Sequence, residues 1–210
     1  MKVHEYQARK LLAEAGVPVP PSEVVEAVDQ ATLAYERIGK TVVVKAQVFA
    51  GGRGKAGFVK LCGSADEVRS AAEFMLSNRM VSRQTGPEGI AVKKLLVAEA
   101  VDIESEYYAA VVLDRAQRCP VVMVSREGGV EIEEVAARDP DAIVKQWLHP
   151  HMGLLNFQTN RLVAALGLTD KEQMKTAATV LRGLVMVFLT YDCSLAEINP
   201  LVCTADGRIL

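Results

Sequence analysis

VVVKAQVFAGGRGKAGFVK, residues 42–60, sets a lysine inside an apolar, β-branched run and follows it with a basic, glycine-rich loop. Residues 41–48 read as one strand and FVKLC at 58–62 as a second, with glycines between them. An unpaired ammonium buried in such a strand is costly, so Lys45 needs an anionic partner. Gly51, Gly52 and Gly54 can take positive φ and bring backbone N–H groups close to an anion. Arg53 adds a planar fork suited to phosphate and Lys55 a point charge. A nucleoside triphosphate requires cations on several sides in this way. The stretch matches neither G-x-x-x-x-G-K-[ST] nor G-x-G-x-x-G. The competing reading is a solvated hairpin turn, with Lys45 paired structurally to a nearby glutamate.

Helical spacing flanks this stretch. Ala8, Leu11, Leu12 and Ala15 recur at i, i+3, i+4 and i+7 ahead of Gly16 and Pro18, which predicts an amphipathic helix over 4–15 that carries His4. Ala31, Ala34, Tyr35 and Ile38 predict a second helix before Gly39, and Ser64 with Glu67 forms a capping box ahead of a third. Downstream, LLVAEAVDI (95–103), EYYAAVVLD (106–114) and CPVVMVS (119–125) have strand character, with RAQR as a hairpin turn between the last two. Gly128-Gly129 reads as a turn before a strand, Asp139-Pro140 as a helix start, and Thr169 with Glu172 as the cap of a long helix to about Leu189. SLAEINPLVCT (194–204) leads to Asp206-Gly207, a hairpin dipeptide, with only Arg208, Ile209 and Leu210 after it. The return strand is therefore expected to be cut short and the sequence to be a piece of a longer polypeptide. Helices interleaved with strands and hairpins predict an α+β (mixed α/β) class, with mixed sheets carrying helices on their faces.

With 210 residues, half of them hydrophobic, and a net charge of -2, the chain can bury a substantial core and has no basic or acidic footprint. No nucleic acid and no membrane are expected as partners, and the charged amino terminus without an apolar run reads as cytosolic, or as a matrix protein without its transit segment. Cys62, Cys119, Cys193 and Cys203 lack the short paired spacings of zinc or redox motifs and are expected to be reduced, mostly buried thiols. His149-Pro150-His151 offers two metal ligands without a third, and His4 reads as a surface or capping residue.

A second constellation lies in Leu195–Leu201. Period-2 geometry puts Glu197 and Asn199 on one face, with Ala196 and Ile198 on the other. A carboxylate and an amide oxygen so placed suit a magnesium ion that also takes water and phosphate ligands; an edge strand with a wet face is the plainer alternative. Glu99, Glu104 and Glu106 add carboxylates suited to ribose hydroxyls or to pairing with Lys45.

HEYQARKLL, VVVKAQVFAGGRGKAGFVK, EGGVEIEEVA and AEINPLV occur together in this order, and over Met1 to Leu210 the chain resembles the succinate-CoA ligase beta-subunit family. The resemblance implies an ATP-grasp fold, in which two subdomains hold a nucleotide between their sheets. Residues 1–19 and 104–210 would form the larger subdomain, truncated at its C-terminal end, and 20–103 the smaller one carrying the phosphate loop. It further implies that Lys45 contacts phosphate, that Gly52, Arg53 and Gly54 form the phosphate loop, and that Glu106 contacts the nucleotide. Glu99, or Ala98 in the alternative register, and the backbone of Val101 serve the nucleotide and its base. By the same resemblance Asn199 would be one magnesium ligand, and Glu197 would steady a phosphohistidine visiting the site.

The implied cofactors are Mg2+ and ATP/ADP or GTP/GDP, and the implied partner is an alpha subunit that supplies the phosphorylated histidine. Succinate and CoA are the substrates of the complex, and the reaction exchanges succinyl-CoA, NDP and phosphate for succinate, CoA and NTP. Two departures stand out: Phe49 replaces a histidine of the family pattern, and an aspartate expected on the return strand to complete the magnesium site lies past Leu210. A malate-CoA ligase beta subunit and a non-catalytic nucleotide-binding fragment are the remaining alternatives.

Overall fold

The computed structural model describes residues 2–149 and 151–210, so Met1 and the central Pro150 of the His-Pro-His stretch lie outside the described residues. The chain divides into two compact units, Met1–Lys10 with Pro20–Val101 and Leu11–Val19 with Asp102–Leu210. The first division falls within helix α1 (Glu5–Glu14).

The first unit continues with β1 (Ser22–Val25), α2 (Val28–Ile38), β2 (Val42–Ala46), β3 (Val59–Cys62), α3 (Ala65–Ser77), the short pair β4 (Arg79–Met80) and β5 (Ile90–Ala91), and β6 (Leu95–Glu99). Its main sheet runs β1-β6-β2-β3, with antiparallel pairing throughout. The alternation of β2 sorts its side chains between two faces. Val42, Val44 and Ala46 are buried with Val25, Leu95 and Val97 and with Ala31, Ala34, Val68, Ala72 and Met75 from α2 and α3. Val43 and Lys45 face the other way, and their register neighbours across the sheet are Ala98 and Leu96 on β6. Lys45 thus stands on the sheet face opposite the packed helices because the strand period leaves it nowhere else.

The helix signals there hold. Ser64 caps α3 by accepting from the Glu67 amide at 3.3 Å, while the Glu67 carboxylate reaches back one residue further, to the Gly63 amide at 2.7 Å. Gly39 closes α2 in the left-handed region, φ 69°, its N–H bonded to Tyr35 O at 2.9 Å.

The second unit holds β7 (Ile103–Asp114), β8 (Cys119–Ser125), α4 (Ile132–Arg138), β9 (Ile143–Trp147), α5 (Asn156–Ala165), α6 (Lys171–Thr190) and β10 (Leu195–Thr204), with the sheet order β10-β7-β8-β9, again antiparallel. Ala109, Val111, Val122 and Val124 from the sheet pack with Val180, Leu181, Leu184 and Phe188 of α6, joined by Leu12 and Val17. Among the described residues no helix is long and apolar enough to cross a membrane, and all four cysteines are free thiols, Cys62 and Cys203 buried.

Several local expectations need correcting. Asp139-Pro140 opens only a three-residue 3-10 turn, because its next residues enter β9. The cap of α6 is Asp170, whose carboxylate accepts from the Glu172 and Gln173 amides at 3.0 and 2.9 Å and so displaces Thr169 from that role. The segment after Gly129 is helix α4 and not a strand. LLVAEAVDI is not one strand, since β6 stops at Glu99 and β7 starts at Ile103. His4 precedes α1 and its carbonyl accepts from Gln7 and Ala8 amides, the capping arrangement.

Gly183 sits in the interior of α6, where glycine ordinarily costs about 1 kcal/mol against alanine. A Cβ there would lie 2.7 Å from Val17 Cγ2 and 3.0 Å from Ala15 O, so glycine is what lets the Ala15–Val17 turn approach the helix. Gly183→Ala should therefore lower stability by about 1–3 kcal/mol despite its better helix propensity, read as a fall in the urea midpoint. A raised midpoint would show that the turn yields freely.

Candidate functional site

In the first unit Lys45, from β2, and Arg53, from the glycine loop, converge on one carboxylate, that of Glu5 at the start of α1. Lys45 Nζ lies 3.2 Å from Glu5 Oε1, Arg9 Nε lies 3.2 Å from the same oxygen, and Arg53 Nη2 lies 2.7 Å from Oε2. That last contact is off the line of an N–H, so Oε2 is paired by charge more than by a directed hydrogen bond. All four side chains are about four-fifths buried, with exposures of 19–24%. One carboxylate against three cations leaves two positive charges uncompensated in a poorly solvated place. Burial pushes the Lys45 ammonium below its ordinary pKa; Glu5 pulls it back up, and Arg9 and Arg53 push it down. Burial alone would raise the Glu5 carboxyl, but Lys45, Arg53 and Arg9 override it and hold its pKa at about 2.

The loop itself is ordered by its own backbone. Ala56 N–H donates to Gly52 O at 3.0 Å, Gly57 to Gly54 O at 3.0 Å and Phe58 to Arg53 O at 2.9 Å. Gly52 has φ 76°, which a side chain would resist, and Arg53 Nη1 donates to Ala46 O at 2.9 Å, turning the guanidinium back toward the end of β2. Gly51 N–H donates to Gln84 Oε1 at 2.8 Å, a brace from a distant segment. Phe49 stacks on His4 with ring centroids 3.9 Å apart, and burial, Lys94 and Arg53 lower the His4 pKa.

Glu99, at the end of β6, pairs with Lys40 at 2.7 Å and not with Lys45. The partner that the sequence reading sought for Lys45 among Glu99, Glu104 and Glu106 is thus Glu5, forty residues upstream. Ala98 is buried, whereas Val101 follows the strand and is half-buried.

In the second unit Glu106 and Asn199 meet at the Gly128-Gly129 loop. Gly128 N–H donates to Glu106 O at 3.1 Å, Gly129 N–H donates to Asn199 Oδ1 at 2.7 Å, and Asn199 Nδ2 donates to Val130 O at 3.0 Å. A Cβ on Gly128 would lie 2.6 Å from Tyr107 N, and one on Gly129, φ 70°, would strike the Glu106 carboxylate. Both glycines are required for the loop to lie this close to β7. An open cleft of about 520 Å³ borders the loop, lined by Glu104, Glu106, Arg126, Glu127, Gly128 and Val130 among others.

Ala196 and Ile198 pack against the core, so Glu197 and Asn199 share the outward face of β10 as the period-2 reading required. Loss of solvent raises the Glu197 pKa; a hydrogen bond from Tyr108 pulls it down, and Glu133 and Glu131 push it up. The Tyr108 hydroxyl is itself raised, by burial first and by Glu197 second. Among the described residues no group of three His, Cys, Asp or Glu side chains gathers as a metal cage. His149 and His151 have ring centroids 5.8 Å apart without a third ligand joining them. For a hard cation the fitting donor is Asn199 Oδ1, which has accepted one hydrogen bond and keeps a second lone pair.

Glu5, Gln84 and Tyr108 escaped the sequence reading. Glu5 and Tyr108 stand inside HEYQARKLL and EYYAAVVLD, but only the folded chain brings them to Lys45 and Glu197; Gln84 has no local signal at all.

A family model described as an ATP-grasp domain matches residues 2–203. The chain is 49% identical over 211 residues to "Succinate--CoA ligase [ADP-forming] subunit beta" of Halalkalibacterium halodurans, covering 100% of this chain and 54% of that protein. The like-named protein of Geobacillus thermodenitrificans is 48% identical with the same coverage. The chain thus spans about half the length of the curated relatives it matches. Among solved structures, the dinucleotide-forming acetyl-coenzyme A synthetase 1 of Ca. Korarchaeum cryptofilum, in complex with coenzyme A, Ca-AMPCP and HgCl+, superposes with a TM-score of 0.73 at 19% identity, covering 98% of this chain and 88% of that one. ATP citrate lyase from Methanothrix soehngenii gives 0.73 at 16% identity over 99% of this chain and 48% of that one. At these identities the likeness is one of fold.

The Glu5 cluster sets an acid limit on stability. The folded carboxyl takes its proton only near pH 2, whereas an unperturbed one takes it near 4.5. The stabilisation is thus complete above pH 4.5 and drains away as pH falls toward 2, by at most on the order of 3 kcal/mol. Urea midpoints measured across that window should fall steeply in the native protein and less steeply in Glu5→Gln; equal slopes would remove Glu5 from the account.

Proposed function

The chain belongs to the ATP-grasp domain family, and from that premise we propose that it is the nucleotide-handling portion of the beta subunit of an ADP-forming succinate-CoA ligase. The observation that carries this reading is the buried cluster in which Lys45 and Arg53 retain positive charge beyond what Glu5 neutralises. A site with surplus cations beside a glycine loop is suited to phosphate oxygens. The relatives at 48–49% identity supply the acid-CoA ligase context.

In this reading 1–19 and 104–210 make the larger ATP-grasp subdomain and 20–103 the smaller. Lys45 and Arg53 neutralise the phosphates, while Gly52 and Gly54 let backbone amides approach them. Glu99 and the Val101 backbone serve the nucleoside, with Glu106 as a further nucleotide contact. Asn199 would hold Mg2+ through its remaining lone pair, and the ion would supply positive charge against the phosphates. Glu197, on the outward face of β10 beside Asn199, faces the incoming phosphohistidine of an alpha subunit. The chain's contribution to phosphoryl transfer is positioning and charge stabilisation. Succinyl-CoA, ADP and phosphate are exchanged for succinate, CoA and ATP by the complete complex in the cytoplasm.

Calorimetry with Mg-ATP and Mg-ADP tests the binding half of this reading, and labelling of a co-expressed alpha subunit from γ-labelled ATP tests the transfer half. Lys45→Ala should lower nucleotide affinity at least tenfold, the loss of one charge-assisted contact, and abolish labelling. Near-normal labelling with that variant would falsify the assignment.

A further inference from the structure

We infer that Glu5 is a positioning residue that keeps Lys45 charged and aims Lys45 and Arg53 at a nucleotide's phosphate oxygens, an inference that rests on the nucleotide reading of those two side chains. It is carried by the geometry of the shared carboxylate. Glu5 is the first residue of α1, and its two oxygens are divided between cations from two separate segments, Oε1 to Lys45 of β2 and Oε2 to Arg53 of the loop. Without it, three buried cations would face one another unrelieved. The groups that face the Lys45 ammonium are Glu5 and Arg9 from α1 and Arg53 from the loop, whereas the strands on either side present Leu96 and Val59 in register. Glu5 is therefore the one anionic contact among the described residues that offsets the desolvation of Lys45.

The consequence concerns charge state. An ammonium in a dry, cationic setting loses its proton at lower pH, and a neutral Lys45 has no charge to offer phosphate. Glu5 opposes that loss while leaving two positive charges of the cluster unspent. It touches neither phosphate nor any reacting atom in this role.

Mg-ADP affinity, measured by calorimetry from pH 6 to 10, separates charge-keeping from a merely structural role. The native protein should bind steadily through neutral pH and weaken on an alkaline limb. In Glu5→Gln the limb should move down by about one pH unit or more, with affinity at pH 6 equal to or above native, because a negative charge has been removed. Glu5→Asp, which keeps the charge but withdraws it by one methylene, should place the limb between the two. Lys45→Arg should abolish the limb in either background, since a guanidinium stays protonated throughout the range. A limb that does not move in Glu5→Gln, or a uniform loss of affinity at every pH, overturns the inference. Should Glu5→Gln fail to fold by circular dichroism, an unmoved limb in Glu5→Asp overturns it equally. Absence of Mg-ADP binding by the native protein at any pH would instead bring down the nucleotide reading, and this inference with it.

Discussion

A charged amine placed in an apolar strand dictates much of what surrounds it. The period of β2 sends Val42, Val44 and Ala46 into the core, so Lys45 must project from the opposite sheet face. There it is largely buried, and it requires an anion whose distance is tolerated neither by solvent screening nor by chance. The start of α1 supplies that anion. Glu5 stands in the first turn, where a carboxylate is favoured by the helix's partial positive charge, and it also takes Arg53 from the loop and Arg9 from the next turn. A helix terminus, a strand and a glycine loop are thereby tied through one side chain. The arrangement resembles a buried ion-pair network, in which desolvation is offset only when the geometry is good. Its three cations against one carboxylate leave it unbalanced toward positive charge.

The second unit meets a different constraint, the close approach of backbone to backbone. Gly128 and Gly129 lie against β7 where no Cβ fits, and the amides they present are taken by Glu106 O and Asn199 Oδ1. Asn199 is fixed at both ends of its amide, so its oxygen points in one direction with one lone pair left over. Pre-orientation of this kind is worth more to a metal or a phosphate than an extra mobile ligand, because no ordering cost remains at binding.

Periodic elements were legible in the sequence, and short or irregular ones were not. α2, α3 and α6 carry long apolar periods with a polar cap or a closing glycine, and they appear within a residue or two of expectation. β7 and β8 were visible as β-branched runs joined by a turn. By contrast α5 starts at Asn156 behind Leu155, an N-cap residue with no polar side chain, β1 has only four residues, and the Asp139-Pro140 signal was spent on a single turn. The motif residues were equally uneven. Lys45, Arg53, Glu197 and Asn199 stand out because each sits in a local pattern whose chemistry is unusual. Glu5 does not, since one more acid on a helix near the amino terminus is ordinarily solvated. Its role depends on a contact across forty residues that no local spacing encodes.

The two constellations are opposite in sign. Around Lys45 the surplus is positive, whereas around Glu197 the neighbours are Glu131 and Glu133, and the carboxyl is lifted by partial loss of solvent and by those acids. Each is costly taken alone: surplus cations repel one another, and crowded carboxylates favour taking up a proton. Crowding of the first kind is relieved by an anion and crowding of the second kind by a cation. Glu5 tempers the first by its charge, and Tyr108 lowers the carboxyl of the second as a neutral donor. The first is partly neutralised by Glu5. A ligand of opposite charge therefore gains affinity from relieving a repulsion that folding has left in place.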